Sequence, residues 1–156
     1  MMRLILGSKN DFEKGYIFTD VMSKVGIACP ISIASCHRNI GGDFEKFILG
    51  LQEKIIVMLG GMELAAPGII ESILRNAEKF DSIVFGIPTD KAARSAIENL
   101  PRGTSIITSG LNETSVNHSI INSALSVARL AAMLGEVRAM EGLRKYYISN
   151  AKPIVP

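Results

Sequence analysis

The sequence predicts an α/β fold, a three-layer sandwich of helices, a parallel sheet of about five strands, and helices again. Three observations carry that expectation. Short β-rich runs recur along the chain, each is followed by apolar residues at helical spacing, and 156 residues hold five such units without a linker, repeat or low-complexity segment. Composition agrees: 47% of residues are hydrophobic, 21% are charged and 14 are glycine, a globular and somewhat greasy balance that leaves apolar surface for contacts between subunits.

The first strand is RLILGS, residues 3–8. It leads into DFEKGYIFTDVMSKVG, residues 11–26, where Phe12, Ile17, Val21, Met22 and Val25 can share one helix face and Gly26 stands where a C-terminal cap glycine belongs. CPISIAS (29–35) and GDFEKFILGLQE (42–53) form the second unit, and KIIVMLG (54–60) with PGIIESILRNAEKF (67–80) the third. Pro67 lies near the start of its helix, where a fixed φ and a missing N–H cost nothing. DSIVFGIP (81–88) precedes the helix DKAARSAIENL (90–100), and TSIITSG (104–110) precedes the long NHSIINSALSVARLAAMLG (117–135). A more polar helix, EVRAMEGLRKYYISN (136–150), ends in the tail AKPIVP (151–156), whose two prolines keep the helix from continuing.

Lysine plus arginine outnumber aspartate plus glutamate by 17 to 15, and the basic residues are scattered, so no field suited to nucleic acid is expected. Cys29 and Cys36 flank the second strand and match no zinc spacing, which reads as free thiols in a reducing compartment. With only two histidines besides, no metal site is expected. The opening MMRLILGSKND has three apolar residues between Arg3 and Gly7, too few for a signal-peptide core, and no run approaches the about 18 apolar residues of a membrane span. A soluble, cytoplasmic protein with no membrane contact is the expectation.

Units of this kind build a flavodoxin-like or Rossmann-like open sheet, in which ligands bind beyond the carboxyl ends of the strands. Those ends read GSKND, SCHRNIGG, GGMELAAPG, GIPTD and SGLNETS. In GSKND, Ser8, Asn10 and Asp11 at the mouth of a helix suit a phosphate and a sugar hydroxyl, or else simply cap the helix. Neither G-x-G-x-x-G nor a Walker loop is present. His37 brings an imidazole, whose ordinary pKa lets it take and return a proton near neutrality; the plain alternative is a surface-loop histidine. Arg38 can fork onto a phosphate. Cys36 reads as a small packing residue, because neighbours in an extended segment point to opposite faces and its thiol is not expected to meet His37. Gly60 and Gly61 open a loop able to bring backbone donors to an anion, or form an ordinary turn; Glu63 within it is given no catalytic role, and His118 is read as a surface or interface residue.

Taken together, GSKND, SCHR, GG…APG, GIP and PRG resemble the PurE family, the carboxyaminoimidazole ribonucleotide mutases and aminoimidazole ribonucleotide carboxylases of purine biosynthesis. That family carries G-S-x-S-D, S-A-H-R, G-G-A-A-H-L-P-G, G-V-P and P-R-G in the same order. The similarity runs from about Arg3 to Gly135, and Asn122 resembles the asparagine of the family's N-A-A-L-L-A-A-Q-I-L helix.

The resemblance implies a flavodoxin-like domain over residues 1–150, with 151–156 as a tail. It implies a homo-octamer, with a tetramer or dimer as alternatives, active sites shared between subunits, and no metal or organic cofactor. The implied reaction places a carboxylate on the ring carbon of the aminoimidazole nucleotide, using free carbon dioxide or carbon dioxide released from a carbamate. By position His37 corresponds to the histidine that shuttles the ring proton. Ser8 and Asp11 match residues around the ribose phosphate, with Asn10 at the neighbouring serine position. Ser35 and Arg38 match flanking contacts, and Gly60 and Gly61 the loop over the carboxylate. The sequence departs from the pattern at Asn10, at Cys36, at Asn39 and Ile40 in place of T-P, and in SGLNETSVNHS, which is longer and more polar. The third loop is one residue longer and has Met62, Glu63 and Leu64 where the family has its histidine. These departures keep two alternatives open: a carboxylase of another nucleotide on the same fold, and a nucleotide-binding homologue without turnover.

Overall fold

A strand whose every side chain is apolar needs cover on both faces, and Ile55–Gly60 is buried at all six positions. In the computed structural model, which describes residues 1–39, 42–62 and 64–150, this strand is the centre of a five-stranded parallel sheet. Along the chain the elements are β1 (Met2–Leu6), α1 (Phe12–Lys24), β2 (Ile31–Ile33), α2 (Asp43–Gly50), β3 (Ile55–Gly60) and α3 (Ala66–Asn76). Then follow β4 (Ile83–Pro88), α4 (Lys91–Glu98), β5 (Ile106–Ile107), α5 (Val116–Met133) and α6 (Val137–Asn150). The strand order β2-β1-β3-β4-β5, parallel throughout, is the flavodoxin-like doubly wound arrangement.

Strand periodicity sorts the core into two layers. Leu4, Leu6, Val57, Leu59, Phe85 and Ile87 face one side with α1, α5 and α6, whereas Ile5, Ile56, Met58 and Val84 face the other with α2, α3 and α4. Each such side chain taken from water contributes about 1.5–3 kcal/mol. On the first side α5 presents Ala124, Ala128 and Ala131, all fully buried. The apolar face of α5 is thus covered within the chain. What remains outside is an apolar corner at the α5–α6 junction: Met133 is 84% exposed, Val137 74% and Met140 62%.

The two edge strands are shorter than their β-rich runs. Only Ile31–Ile33 of the second run and Ile106–Ile107 of the fifth are strand, each edge having a single neighbour. At β2 the Pro30 carbonyl still accepts the Leu4 N–H at 3.0 Å and the Ala34 N–H donates to the Leu6 carbonyl at 3.0 Å before the chain turns. Helix α1 ends as its sequence predicts. Gly26 adopts φ of 77°, the Gly26 N–H donates to the Ser23 carbonyl at 3.0 Å, and the Ile27 N–H donates to that of Met22 at 2.9 Å. Its buried face holds Gly15, Phe18, Val21 and Met22, with Phe12 and Ile17 only partly buried, so the stripe is rotated toward Phe18. Pro67 falls in the first turn of α3. Among the described residues no helix is long and apolar enough to cross a membrane. Ile40, Gly41, Glu63 and the tail 151–156 lie outside the described residues.

Candidate active site

Four strand ends converge on one crevice, each shaped by its own local chemistry. Beyond β1, Ser8 is extended and caps the short turn Lys9–Asp11: its hydroxyl accepts the Asn10 N–H at 3.2 Å and donates to Asp11 Oδ2 at 3.0 Å. Asp11 precedes α1 but makes no capping bond with its side chain. Capping therefore accounts for Ser8 and not for Asp11. The Asp11 carboxylate instead borders Gly7 and Gly60: a Cβ on either glycine would lie 3.9 or 4.0 Å from its Oδ2.

Beyond β2 the chain turns at once. The Ser35 carbonyl accepts the N–H of Arg38 at 3.2 Å and of Asn39 at 3.0 Å, while Asn39 Oδ1 accepts the Ser35 N–H at 2.7 Å. The expectation that Cys36 and His37 point apart assumed an extended segment and is overturned by this turn, which brings Cys36 Sγ to 3.6 Å from His37 Nδ1. Cys36 is half-buried against the α2 and α3 layer, and burial pushes its thiol pKa up. A neutral thiol, not a thiolate, therefore faces the imidazole near neutral pH, which argues against a cysteine nucleophile. His37 and Arg38 are exposed at the crevice mouth.

Beyond β3, Gly60 is buried, Gly61 half-buried and Met62 left-handed, with φ of 42°. Beyond β4, Asp90 ties this loop down: its Oδ2 accepts the Met62 N–H at 2.8 Å while its Oδ1 caps α4 by accepting the Ala93 N–H at 2.7 Å. A side chain at Gly61 would displace Asp90, since a Cβ would collide with Asp90 Oδ2 and crowd the Thr89 hydroxyl at 3.2 Å. Thr89 is 4% exposed; its N–H donates to the Gly60 carbonyl at 2.9 Å and its hydroxyl accepts from Lys14 Nζ at 3.2 Å.

The crevice encloses about 390 Å³ and is lined by all eight residues singled out in the sequence: Ser8, Asn10, Asp11, Ser35, His37, Arg38, Gly60 and Gly61. Lys14, Cys36, Met62, Leu64 and Asp90 join them. Asp90 was within reach of sequence reasoning, since GIPTD is one of the strand ends. Lys14 carried no such signal; its link to Thr89 spans 75 residues. The fifth strand end stays outside this lining, and His118 is exposed on the first turn of α5. Among the described residues no three His, Cys, Asp or Glu side chains gather as metal ligands do.

Chemically the crevice offers a hydroxyl, a carboxylate, an imidazole, a guanidinium, an ammonium and backbone donors in one concave space. That is the equipment for holding an anionic, hydroxyl-bearing small molecule with one carbon near an acid/base group. No protein-family model matches the sequence, and no curated protein matches it. Crystal structures of Treponema denticola proteins share its fold. One is Treponema denticola PurE2 with a serine-to-aspartate substitution, at a TM-score of 0.72 and 19% identity over 96% of this chain and 89% of that one. Another is Treponema denticola PurE, at a TM-score of 0.69 and 21% identity over 96% of this chain and 90% of that one. At such identities the likeness concerns architecture, and the chain has a PurE-like fold.

Proposed function

We propose that the chain is a carboxylase or mutase that forms 4-carboxy-5-aminoimidazole ribonucleotide, with His37 moving the proton of the ring carbon. The observation that carries this reading is the lining of one crevice by three separate segments, residues 8–11, 35–38 and 60–61, that match the PurE pattern. In this reading Arg38 and Ser8 hold the phosphate, Asp11 accepts from ribose hydroxyls, Asn10 and Ser35 flank the nucleotide, and the Gly60–Gly61 backbone lies over the carboxylate.

The electron pair of the ring carbon forms the new bond to carbon dioxide, whose π electrons move onto oxygen to give the carboxylate. The ring proton then passes to His37 and aromaticity returns. In the mutase form the exocyclic nitrogen–carbon bond breaks first and supplies the carbon dioxide. The nitrogen regains one proton as the ring carbon loses one, so the overall reaction balances. General acid/base transfer of this kind contributes about 10²–10⁴-fold, and retention of carbon dioxide requires water to be kept out. His37 is exposed in the single chain. Closure of the crevice mouth by a second subunit therefore belongs to the proposal, in a homo-oligomer of up to an octamer.

A second reading, a carboxylase of another heterocycle-bearing nucleotide, is favoured by the third loop, where Met62 is left-handed and 86% exposed. The test is to incubate the purified protein with aminoimidazole ribonucleotide plus bicarbonate, and separately with the carbamate, following the ring carboxylate. Its formation from either substrate is the expected result. Binding of the nucleotide without either reaction would leave a nucleotide-binding protein and overturn the enzymatic reading.

A further inference from the structure

We infer that Lys14 is a specificity-determining residue of the crevice, its ammonium receiving the carboxylate that distinguishes the carboxylated nucleotide from the uncarboxylated one. The inference rests on the functional reading above. Lys14 belongs to the first turn of α1, which follows β1, yet its Nζ reaches the hydroxyl of Thr89 at the end of β4. The sheet order puts β3 between those strands, so the side chain crosses the end of β3 and brings its ammonium beside the Gly60–Gly61 loop.

An ammonium has three donors, and Thr89 takes one. Three other lysines pair on solvated helix faces, Lys24 with Asp20, Lys46 with Asp43 and Lys145 with Glu141, each within one turn, whereas among the described residues Lys14 is the one lysine in the lining of the crevice. Lys14 forms no ion pair among the described residues. Neither crevice carboxylate pairs with Lys14: Asp90 accepts from the Met62 and Ala93 amides, and Asp11 Oδ2 from the Ser8 hydroxyl. Arg38 stands beyond β2, on the far side of β1 from this loop, and neighbouring strands are about 4.8 Å apart. The two cations thus serve opposite ends of the crevice, an arrangement fitted to a ligand with two separated anionic groups. Arg38 suits the phosphate, and Lys14, a compact charge, suits the carboxylate.

The experiment compares dissociation constants of aminoimidazole ribonucleotide and its 4-carboxy derivative for the wild type, Lys14→Met and Lys14→Arg by calorimetry. Loss of a charge-assisted hydrogen bond predicts about tenfold or more weaker binding of the carboxylated nucleotide to Lys14→Met, with the uncarboxylated one changed by less than about threefold. Lys14→Arg should recover part of the difference. If the wild type binds both nucleotides and Lys14→Met changes both equally or neither, this assignment is wrong while the functional reading stands. If the wild type binds neither, the functional reading falls and this inference with it.

Discussion

The crevice has two halves built on different principles. The half beyond β1 and β2 is made of local turns: Ser8 bonds to Asn10 and Asp11, Ser35 to Arg38 and Asn39, and Cys36 meets its neighbour His37. The half beyond β3 and β4 is held by links between distant segments, Asp90 to the Met62 amide across 28 residues and Lys14 to Thr89 across 75. A local turn can be read in a short motif, which is why the first half follows the PurE pattern so closely. The second half has to be assembled before its chemistry exists. It is also the half in which Met62, Glu63 and Leu64 replace the family's loop. In the proposed reading proton transfer belongs to the first half and substrate choice to the second.

The largest expected effect comes from the first half. His37→Asn should lower turnover by at least about 100-fold, with nucleotide affinity within about threefold of wild type by calorimetry. Equal losses in turnover and affinity would remove the division between the halves. In the second half, Gly61→Ala forces Asp90 from its place, and turnover should fall about tenfold. Combined with Asp90→Ala, the same substitution should cost less than the two single losses added, since the obstacle is gone. Strict additivity would show that the loop does not lean on Asp90.

Legibility followed burial. β3 was plain in the sequence because burial on both faces makes it a continuous apolar run, β1 because Arg3 alone interrupts its apolar residues, and α5 because its alanines and aliphatics line one face. The edge strands were overread, since Ile31–Ile33 and Ile106–Ile107 sit in longer β-prone runs that have a neighbour on one side only. His37 and Arg38 could be found by residue type at a strand end. The Cys36–His37 contact could not, because it depends on a turn that begins only at Ser35. Asp90 stood in a strand end already named but lacked a motif to set it apart. Lys14 became visible only when parallel pairing brought the ends of β1, β3 and β4 side by side.

Smaller effects sharpen the contrast. Asp90→Ala removes a helix cap and leaves the Met62 amide without its acceptor, which should cost about 1–3 kcal/mol in chemical denaturation. Asp90→Asn retains a capping oxygen and should cost less than half as much. The smallest effect is expected at Cys36. With its thiol held protonated by burial, Cys36→Ala should leave turnover within about twofold and the pH profile in place, because the proton chemistry rests on the imidazole. A displaced pH profile would give the thiol a part in tuning His37. Cys29 supplies the stability counterpart at the other end of the sheet. Burial pushes its thiol pKa up to about 12 from 9.0, so the unfolded chain loses that proton first as pH rises. Cys29 therefore contributes stability that is intact below pH 9.0 and is lost as pH rises toward about 12. Cys29→Val should flatten this alkaline limb in urea titrations read across that range.

The central claim is that His37 exchanges a proton with a ring carbon that gains or loses carbon dioxide. Run backwards in heavy water, that chemistry leaves a label in either the carboxylase or the mutase form. Carboxyl-labelled 4-carboxy-5-aminoimidazole ribonucleotide incubated with the protein should lose its label from the ring carbon, as carbon dioxide in the carboxylase form or onto the exocyclic nitrogen as the carbamate in the mutase form, and the nucleotide formed should carry deuterium at that carbon. His37→Asn and a protein-free control should do neither at a comparable rate. A folded wild-type protein that binds this nucleotide, yet neither moves the label from the ring carbon nor deuterates it, would contradict the account.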